Sequence, residues 1–173
     1  MIALDRNAIA GLRLQAHVVG LASAMAMRED HGWLTRTTRE GVLMARTLSN
    51  PAGLHPAPGF SHVAVSRGST MVHFAGQIAL DENFGIIGGA DLFEQTQAAM
   101  RNLETAMDEA GVAWQDIVRR TIYTTQPTQY EVITSAIHSV TGGADDPPQT
   151  IVGITGLAID GLLIEIECTA MLD

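Results

Sequence analysis

The chain has 173 residues and a mass of 18.4 kDa, which is the length of one domain large enough to bury a hydrophobic core. Residues 46–173 hold five arginines against fifteen acidic residues, which argues against nucleic acid as a partner. The chain contains no lysine, which excludes a Schiff-base mechanism, and no apolar run reaches the ~18 residues that would cross a membrane.

Residues 1–45 are predicted to form an N-terminal extension of the domain that follows. The segment Asn7 to Met27 is rich in alanine, leucine and valine and is compatible with a weak helix. Either this extension is disordered or poorly packed, or the protein starts at Met44 and the extension lies upstream. A secretory signal cleaved at Ala22-Ser23-Ala24 is disfavoured, because the apolar stretch is interrupted and ends in Arg28-Glu29-Asp30.

Two hairpins are predicted after this extension. Phe60 to Val65 and Thr70 to Gln77 are β-prone runs, separated by Ser66 to Ser69, a turn in which Gly68 supplies a positive φ. The second hairpin turns at Asp81 to Gly85 and returns through a short strand, Ile86-Ile87.

Two helices follow from apolar spacing and capping chemistry. From Asp91 to Ala110 apolar residues recur at steps of three and four, with Asp91 as N-cap and Gly111 as the stop signal. A second helix is predicted from Thr128 to Val140, with Tyr130 among its inward-facing residues.

Three further strands complete the pattern, Val118 to Thr125, Thr150 to Thr155 and Leu162 to Met171. Alternation in the last strand puts only apolar residues on one side and mixes Glu165 and Glu167 with apolar residues on the other. The mixed side is explained either by an interface with polar pockets or by exposure to water. Together these elements predict an α+β domain of order β-β-β-α-β-α-β-β over 46–173, with one sheet and two helices on one face.

Short motifs along the domain occur in the order of one protein family. They are Ser49-Asn50-Pro51, Pro58 to His62, Phe74 to Asp81, Gln95-Thr96 with Arg101-Asn102-Leu103, Ala110-Gly111, Asp116 to Tyr123, Pro147 to Thr150 and Ile164 to Ala170. Together they resemble the RidA (YjgF/YER057c/UK114) family over Arg46 to Asp173. The resemblance implies a chorismate-mutase-like fold and a homotrimer with small-molecule clefts between subunits. It also implies an intracellular protein, and no cofactor is expected.

The resemblance also implies site residues. In the family's deaminases an arginine after Pro-x holds the carboxylate of a 2-imino or 2-enamino acid, and a glutamate on the last strand positions water at the imine carbon. Hydrolysis then releases ammonia and a 2-oxo acid. Glu165 matches the catalytic glutamate, whereas Gln149 stands where the arginine is expected. The substrate-binding positions are Gln149, Phe60 in place of a tyrosine, Thr134 in place of an asparagine, Ala75 and Gly76.

The exchange of arginine for Gln149 changes which ligands are expected. A bidentate guanidinium–carboxylate contact exceeds a neutral amide contact by roughly 1 to 3 kcal/mol. Beside Glu165, in an acidic domain, an anionic substrate is disfavoured and a neutral or cationic ligand is favoured. Arg120 stands where the family usually has a small hydroxyl residue; it is either a surrogate cation or a structural partner of Glu165 or Glu167.

Other residue types add little. His55, His62 and His73 lack the spacing of a metal site, so no metal is predicted. Cys168 is the single cysteine and is interpreted as a core residue, consistent with the reducing cytoplasm. Two functions stay open: a Rid-type hydrolase (deaminase) acting on an imine, enamine or related C–N bond, and a non-catalytic trimeric small-molecule-binding or chaperone-like protein.

Overall fold

The computed structural model describes residues 46–173, and the predicted N-terminal extension lies outside them. The described elements are β1 (Arg46–Ser49), β2 (Val63–Ser66), β3 (Thr70–Ile78), α1 (Leu92–Glu109), a 3-10 turn (Trp114–Asp116), β4 (Ile117–Thr124), α2 (Tyr130–Thr141), β5 (Gln149–Gly153) and β6 (Ile164–Leu172). The predicted α+β class is therefore confirmed. The order of strands and helices also reads β-β-β-α-β-α-β-β, but its first strand, β1, was not predicted, and the predicted third strand, Ile86-Ile87, is not among these elements.

The strands form two sheets where one was predicted. The larger sheet has the order β3-β6-β4-β5, in which β4 and β5 are parallel and the other pairs are antiparallel. β1 and β2 form a separate antiparallel ladder. The buried Arg46 at its start donates to the carbonyl oxygens of Ile117 and Asp145, which ties the ladder to the main sheet.

The predicted hairpin between β2 and β3 is wrong, because β2 pairs with β1 and β3 pairs with β6. The segment from Ser66 to Ser69 instead links the two sheets. Gly68 does not have a positive φ. Its small size is needed because a Cβ there would overlap the carbonyl oxygen of Leu172 and lie 2.7 Å from the Cγ of Met171.

The second predicted turn is present, but its return strand is not. Asp81 accepts hydrogen bonds from the backbone N–H of Asn83 (2.8 Å) and Gly85 (2.7 Å), which closes the turn. The predicted strand Ile86-Ile87 is reduced to a single bridge between Ile86 and Leu80.

Both helices pack on one face of the main sheet. α1 begins after Asp91, whose side chain accepts from the Glu94 N–H at 3.0 Å, and is followed by Gly111 at φ 66°, as the capping signals predict. The core between helices and sheet is formed by buried apolar residues, among them Met100, Leu103, Ile122, Ile133, Ile137, Ile164 and Ile166. Each fully buried side chain of this size contributes about 1.5–3 kcal/mol of transfer free energy.

The opposite face of the main sheet is not covered by any described element, and it is called the open face below. On β6 it consists of the half-buried Glu165, Glu167, Thr169 and Met171, which confirms the predicted alternation. The exposed Met71 on β3 lies directly opposite Met171. In the described part of the chain, neither helix has the length and hydropathy needed to cross a membrane.

Candidate functional site

A cavity of about 300 Å³ opens where the loop before β2 passes the start of α2 and the first residues of β5. Its lining consists of His55, Pro56, Pro58, Phe60, Tyr130, Thr134, Gln149 and Ile151. None of these side chains is a carboxylate, an arginine or a lysine. The walls are therefore rings and apolar groups, and the polar groups include the Thr134 hydroxyl and the Gln149 amide.

The loop that forms one wall is held in place by close packing and by hydrogen bonds. Gly59 adopts φ 76°, and a Cβ there would overlap the Thr134 side chain, 2.7 Å from its Oγ1. Ser61 donates two hydrogen bonds to backbone carbonyl oxygens. Its N–H donates to that of Pro147 (3.3 Å), and its hydroxyl donates to that of Asp146 (2.8 Å). The wall is thus anchored to α2 and to the segment before β5.

Three rings pack against one another at this wall. The centroid of His55 lies 4.8 Å from that of His62 and 6.0 Å from that of Phe60, and Phe60 and His62 are 5.2 Å apart. His62 Nε2 donates to the His55 carbonyl oxygen at 2.9 Å, because a carbonyl only accepts. The cluster supports an aromatic surface on which a flat ligand can pack.

Behind Gln149 lies a chain of hydrogen-bonded side chains that runs from the buried Arg120 to the exposed His138. Arg120, 3% exposed, donates from Nε to Gln149 Oε1 at 2.7 Å and from Nη2 to Asp146 Oδ1 at 3.0 Å. The other Asp146 oxygen lies 2.6 Å from Nε2 of His138. The structural ion pair foreseen for Arg120 therefore exists, but its partner is Asp146, and the predicted partners Glu165 and Glu167 are wrong.

The reason lies in strand parity. Arg120 is paired with both Gln149 and Cys168, so all three side chains point to the helix side of the sheet. Tyr123, an odd number of residues further along the same strand, is paired with Glu165 and points to the open face. Within one protomer, Gln149 and Glu165 consequently lie on opposite faces of the sheet.

Glu165 lies instead against Gly76. A Cβ on Gly76 would overlap the Glu165 carboxylate and lie 2.6 Å from its Cδ. Nearby, the Tyr123 hydroxyl donates to Glu167 Oε1 at 3.2 Å, and this hydrogen bond is the largest cause that raises the pKa of Tyr123. Both carboxylates on β6 therefore belong to the open face.

The predicted site residues thus fall into two groups. Phe60, Thr134 and Gln149 meet in the cavity, whereas Glu165, Ala75 and Gly76 lie elsewhere on the sheet. Arg120 does not line the cavity, but it donates a hydrogen bond to Gln149 of the first group.

Sequence reasoning missed five of the eight lining residues, among them His55 and Tyr130. Tyr130 was placed in the core by its helical spacing, yet it is 46% exposed at the first position of α2, where an aromatic residue can border a cavity. His55 belongs to no motif and was considered only as a metal ligand, so nothing in the sequence indicated that it borders a cavity. Within 46–173 no three His, Cys, Asp or Glu side chains are clustered as metal ligands.

Comparison with known proteins gives consistent similarities. Residues 51–172 match the sequence profile described as endoribonuclease L-PSP. A RutC family protein of Synechocystis sp. is 27% identical over 118 residues, covering 68% of this chain and 90% of that protein. A RutC family protein of Pyrococcus abyssi is 30% identical over 99 residues, covering 57% of this chain and 76% of that protein.

Solved structures are similar over the same region. The crystal structure of YyfB of Yersinia pestis, a protein of unknown function in the conserved Rid family, matches with 36% identity and a TM-score of 0.70. It covers 75% of this chain and 100% of that chain. A YjgF/YER057c/UK114 family member of Mycobacterium tuberculosis matches with 27% identity and a TM-score of 0.51, covering 73% of this chain and 99% of that chain.

Proposed function

The chain belongs to the endoribonuclease L-PSP family, which contains the Rid and YjgF/YER057c/UK114 proteins, and on that premise we propose that it hydrolyses a C–N bond of a small imine or enamine. The observation that carries the proposal is the cavity, which gathers three residues at substrate-binding positions, Phe60, Thr134 and Gln149. Its volume of about 300 Å³ is at the lower end of ligand sites and suits a small metabolite.

The catalytic water is positioned by Glu165. Water adds to the imine carbon and one of its protons passes to nitrogen, which gives an amino alcohol. The hydroxyl proton of this adduct then also passes to nitrogen as the C–N bond breaks, which gives a carbonyl product and ammonia. A carboxylate that accepts the proton of the attacking water lowers the barrier, typically by a factor of 10² to 10⁴. Glu165 is half-buried on the open face, where a second surface would exclude bulk water from it.

The complete site requires more than one copy of the chain. Because Gln149 and Glu165 point to opposite faces of one sheet, one copy contributes the cavity and a neighbouring copy contributes Glu165 with Ala75 and Gly76. We propose a homotrimer whose open faces pack together, since that face carries the exposed Met71 and Val65 lies exposed on the neighbouring ladder. Light scattering that reported a monomer would contradict this assembly.

RNA is a poor substrate despite the family's description. Residues 46–173 carry fifteen acidic residues against five arginines, and two of these arginines, Arg46 and Arg120, are buried. Binding a polyanion requires clustered exposed cations. A nuclease activity is therefore not proposed.

The buried single Cys168 supports a place in the reducing cytoplasm.

The hydrolase is tested with imines that carry no carboxylate, formed in situ from primary amines by a flavin amine oxidase, with glutamate dehydrogenase reporting the released ammonia. We expect the protein to accelerate hydrolysis, and Glu165→Gln to reduce that acceleration at least about a hundredfold. Glu167→Gln is the matched control, because it changes the same chemical group on the same strand and face. No acceleration with any imine or enamine would overturn the proposal.

A double variant tests whether glutamine at position 149, in place of arginine, is the reason that a carboxylate-bearing substrate is disfavoured. Gln149→Arg alone would place two guanidinium groups side by side with repulsion between their charges, because Arg120 is paired with position 149 on the adjacent strand β4. Gln149→Arg combined with Arg120→Thr removes that repulsion and leaves Asp146 with its His138 partner. We expect only the double variant to gain activity on anionic 2-imino acids, by about five- to a hundredfold.

The second candidate is a trimeric binding or chaperone-like protein without catalysis. It is favoured by the missing cation, since a cavity lined by an amide and rings can hold a ligand without reacting with it. Ligand binding in the cavity that is unchanged by Glu165→Gln, together with no hydrolysis, would select this candidate.

A further inference from the structure

One end of the Gln149 amide is already engaged inside the protein. Arg120 Nε donates to Gln149 Oε1 at 2.7 Å. Because a guanidinium only donates, this contact assigns the oxygen to Arg120 and turns the NH₂ group away from it. Gln149 lines the cavity, and among residues 46–173 no acceptor is hydrogen-bonded to its Nε2. The amide therefore presents its two N–H donors to a ligand, while its oxygen is turned toward Arg120.

Arg120 is held so that it cannot serve as the ligand's own cation. It is 3% exposed, does not line the cavity, and is held by Asp146 at 3.0 Å and by the Gly59 oxygen at 3.4 Å. Its charge is balanced within the protein by the Asp146 carboxylate. What reaches the cavity is the polarising effect of the guanidinium on the Gln149 amide, which strengthens the amide as a donor.

The remaining lining selects against charge. No described lining residue is an acid, an arginine or a lysine, so an ionised ligand group that reaches Gln149 would lose water contacts without gaining a counter-ion, which is unfavourable. The rings of Phe60, His55 and Tyr130 and the proline side chains favour a flat apolar body.

We propose that Arg120 is a positioning residue that fixes Gln149 as a hydrogen-bond donor, so that the cavity selects an uncharged carbonyl-type acceptor carried on a planar apolar body. The inference rests on the proposed function in one respect, that this cavity binds a small molecule. It adds the chemical class of that molecule: a neutral acceptor, neither a carboxylate nor a cation.

Three probes of the same ring size distinguish these classes: acetophenone as a neutral acceptor, benzoate as an anion, and benzamidinium as a donor-only cation. Dissociation constants are measured on the full-length protein by saturation-transfer NMR titration. We expect acetophenone to bind at least tenfold more tightly than either charged probe. Benzoate or benzamidinium binding as tightly as acetophenone, or no binding of acetophenone up to its solubility, would overturn the inference.

Two variants test the role of the pair. Gln149→Glu keeps the shape and the contact with Arg120 but removes the NH₂ donors, so acetophenone should bind at least tenfold more weakly and benzamidinium more tightly. Arg120→Lys keeps a charge beside Asp146 but not the fixed fork of donors. The amide is then free to rotate, and the preference for acetophenone over benzamidinium should fall below about threefold.

The ratio between probes separates positioning from folding. A merely structural Arg120 would change the unfolding temperature and leave the ratio unchanged, which would contradict the proposal. Arg101→Lys makes the same chemical change on the exposed side of α1 and should alter neither quantity. If imine hydrolysis is absent but the acetophenone preference holds, the hydrolase fails and the ligand class stands.

Discussion

Replacing Gly76 by alanine tests whether the position of the Glu165 carboxylate controls hydrolysis. A Cβ on Gly76 would overlap that carboxylate and lie 2.6 Å from Cδ and 2.7 Å from Cγ of Glu165, far inside van der Waals contact. Gly76 does not have a positive φ, so alanine adds no backbone strain. The atoms that must move belong to a flexible side chain, and we expect the carboxylate to swing away from its position.

The expected effects on stability and on rate differ. An off-rotamer Glu165 costs about 0.5–1.5 kcal/mol, and the smaller entropy of the unfolded alanine chain offsets about 0.4–1 kcal/mol of this. The unfolding free energy should thus change by about 1 kcal/mol or less. The hydrolysis rate, in contrast, should fall at least about a hundredfold, because the water loses its positioned base.

The assay pairs thermal unfolding with the coupled measurement of ammonia released from an uncharged imine. Gly156→Ala is the control, since a Cβ at Gly156 meets nothing within 4 Å, and it should leave both quantities unchanged. A Gly76→Ala protein that kept the wild-type rate while Glu165→Gln was inactive would refute the reasoning. So would a fall of more than about 10 °C in the unfolding temperature, which is larger than a side-chain rotation explains.

Two further substitutions and one measurement of thiol reactivity test the fold. Gly59→Ala imposes φ 76° on a residue with a Cβ and overlaps Thr134, so urea unfolding should show a loss of about 2 kcal/mol or more. Gln95→Leu removes the buried acceptor of the Leu163 N–H (2.8 Å) and should lower the unfolding free energy by about 2–4 kcal/mol. Burial raises the pKa of Cys168 to about 12, so a thiol reagent at pH 8 should react only as the protein unfolds. Because the unfolded thiol ionises near its ordinary pKa, the stability due to this group should be retained below about pH 8.5 and lost as the pH rises toward 12.

The sequence predicted those features of the fold that depend on residues close together in the chain. The alternation in β6 and the cap at Asp91 depend on neighbouring residues, and both are present. The pairing of β2 and β3 failed because the turn signal around Gly68 says nothing about distant partners. β3 in fact pairs with β6, where His73 lies opposite Thr169, 96 residues later.

Only part of the candidate site was predictable, because some of its contacts join segments that are distant in the sequence. The resemblance brought Phe60, Thr134 and Gln149 to attention, but it did not indicate the salt bridge between Arg120 and Asp146, which depends on how the segment before β5 folds back. Arg119 and Arg120 are adjacent on a strand, so their side chains must point to opposite faces of the sheet. The apolar Ile122, two residues after Arg120, was the available signal that Arg120 is the inward-facing one.

The unusual residues at positions 120 and 149 are best understood as one change. They are directly paired on adjacent parallel strands and share a face. Two arginines there would place like charges together at the helix side of the sheet, whereas an arginine and a glutamine form a 2.7 Å hydrogen bond. A buried Arg120 without Gln149 would lose one acceptor, and Gln149 without Arg120 would be free to present either end to a ligand. In the proposed site, the pair thus presents an uncharged donor where an arginine at position 149 would present a cation, and the buried Arg120 keeps Asp146 as its partner.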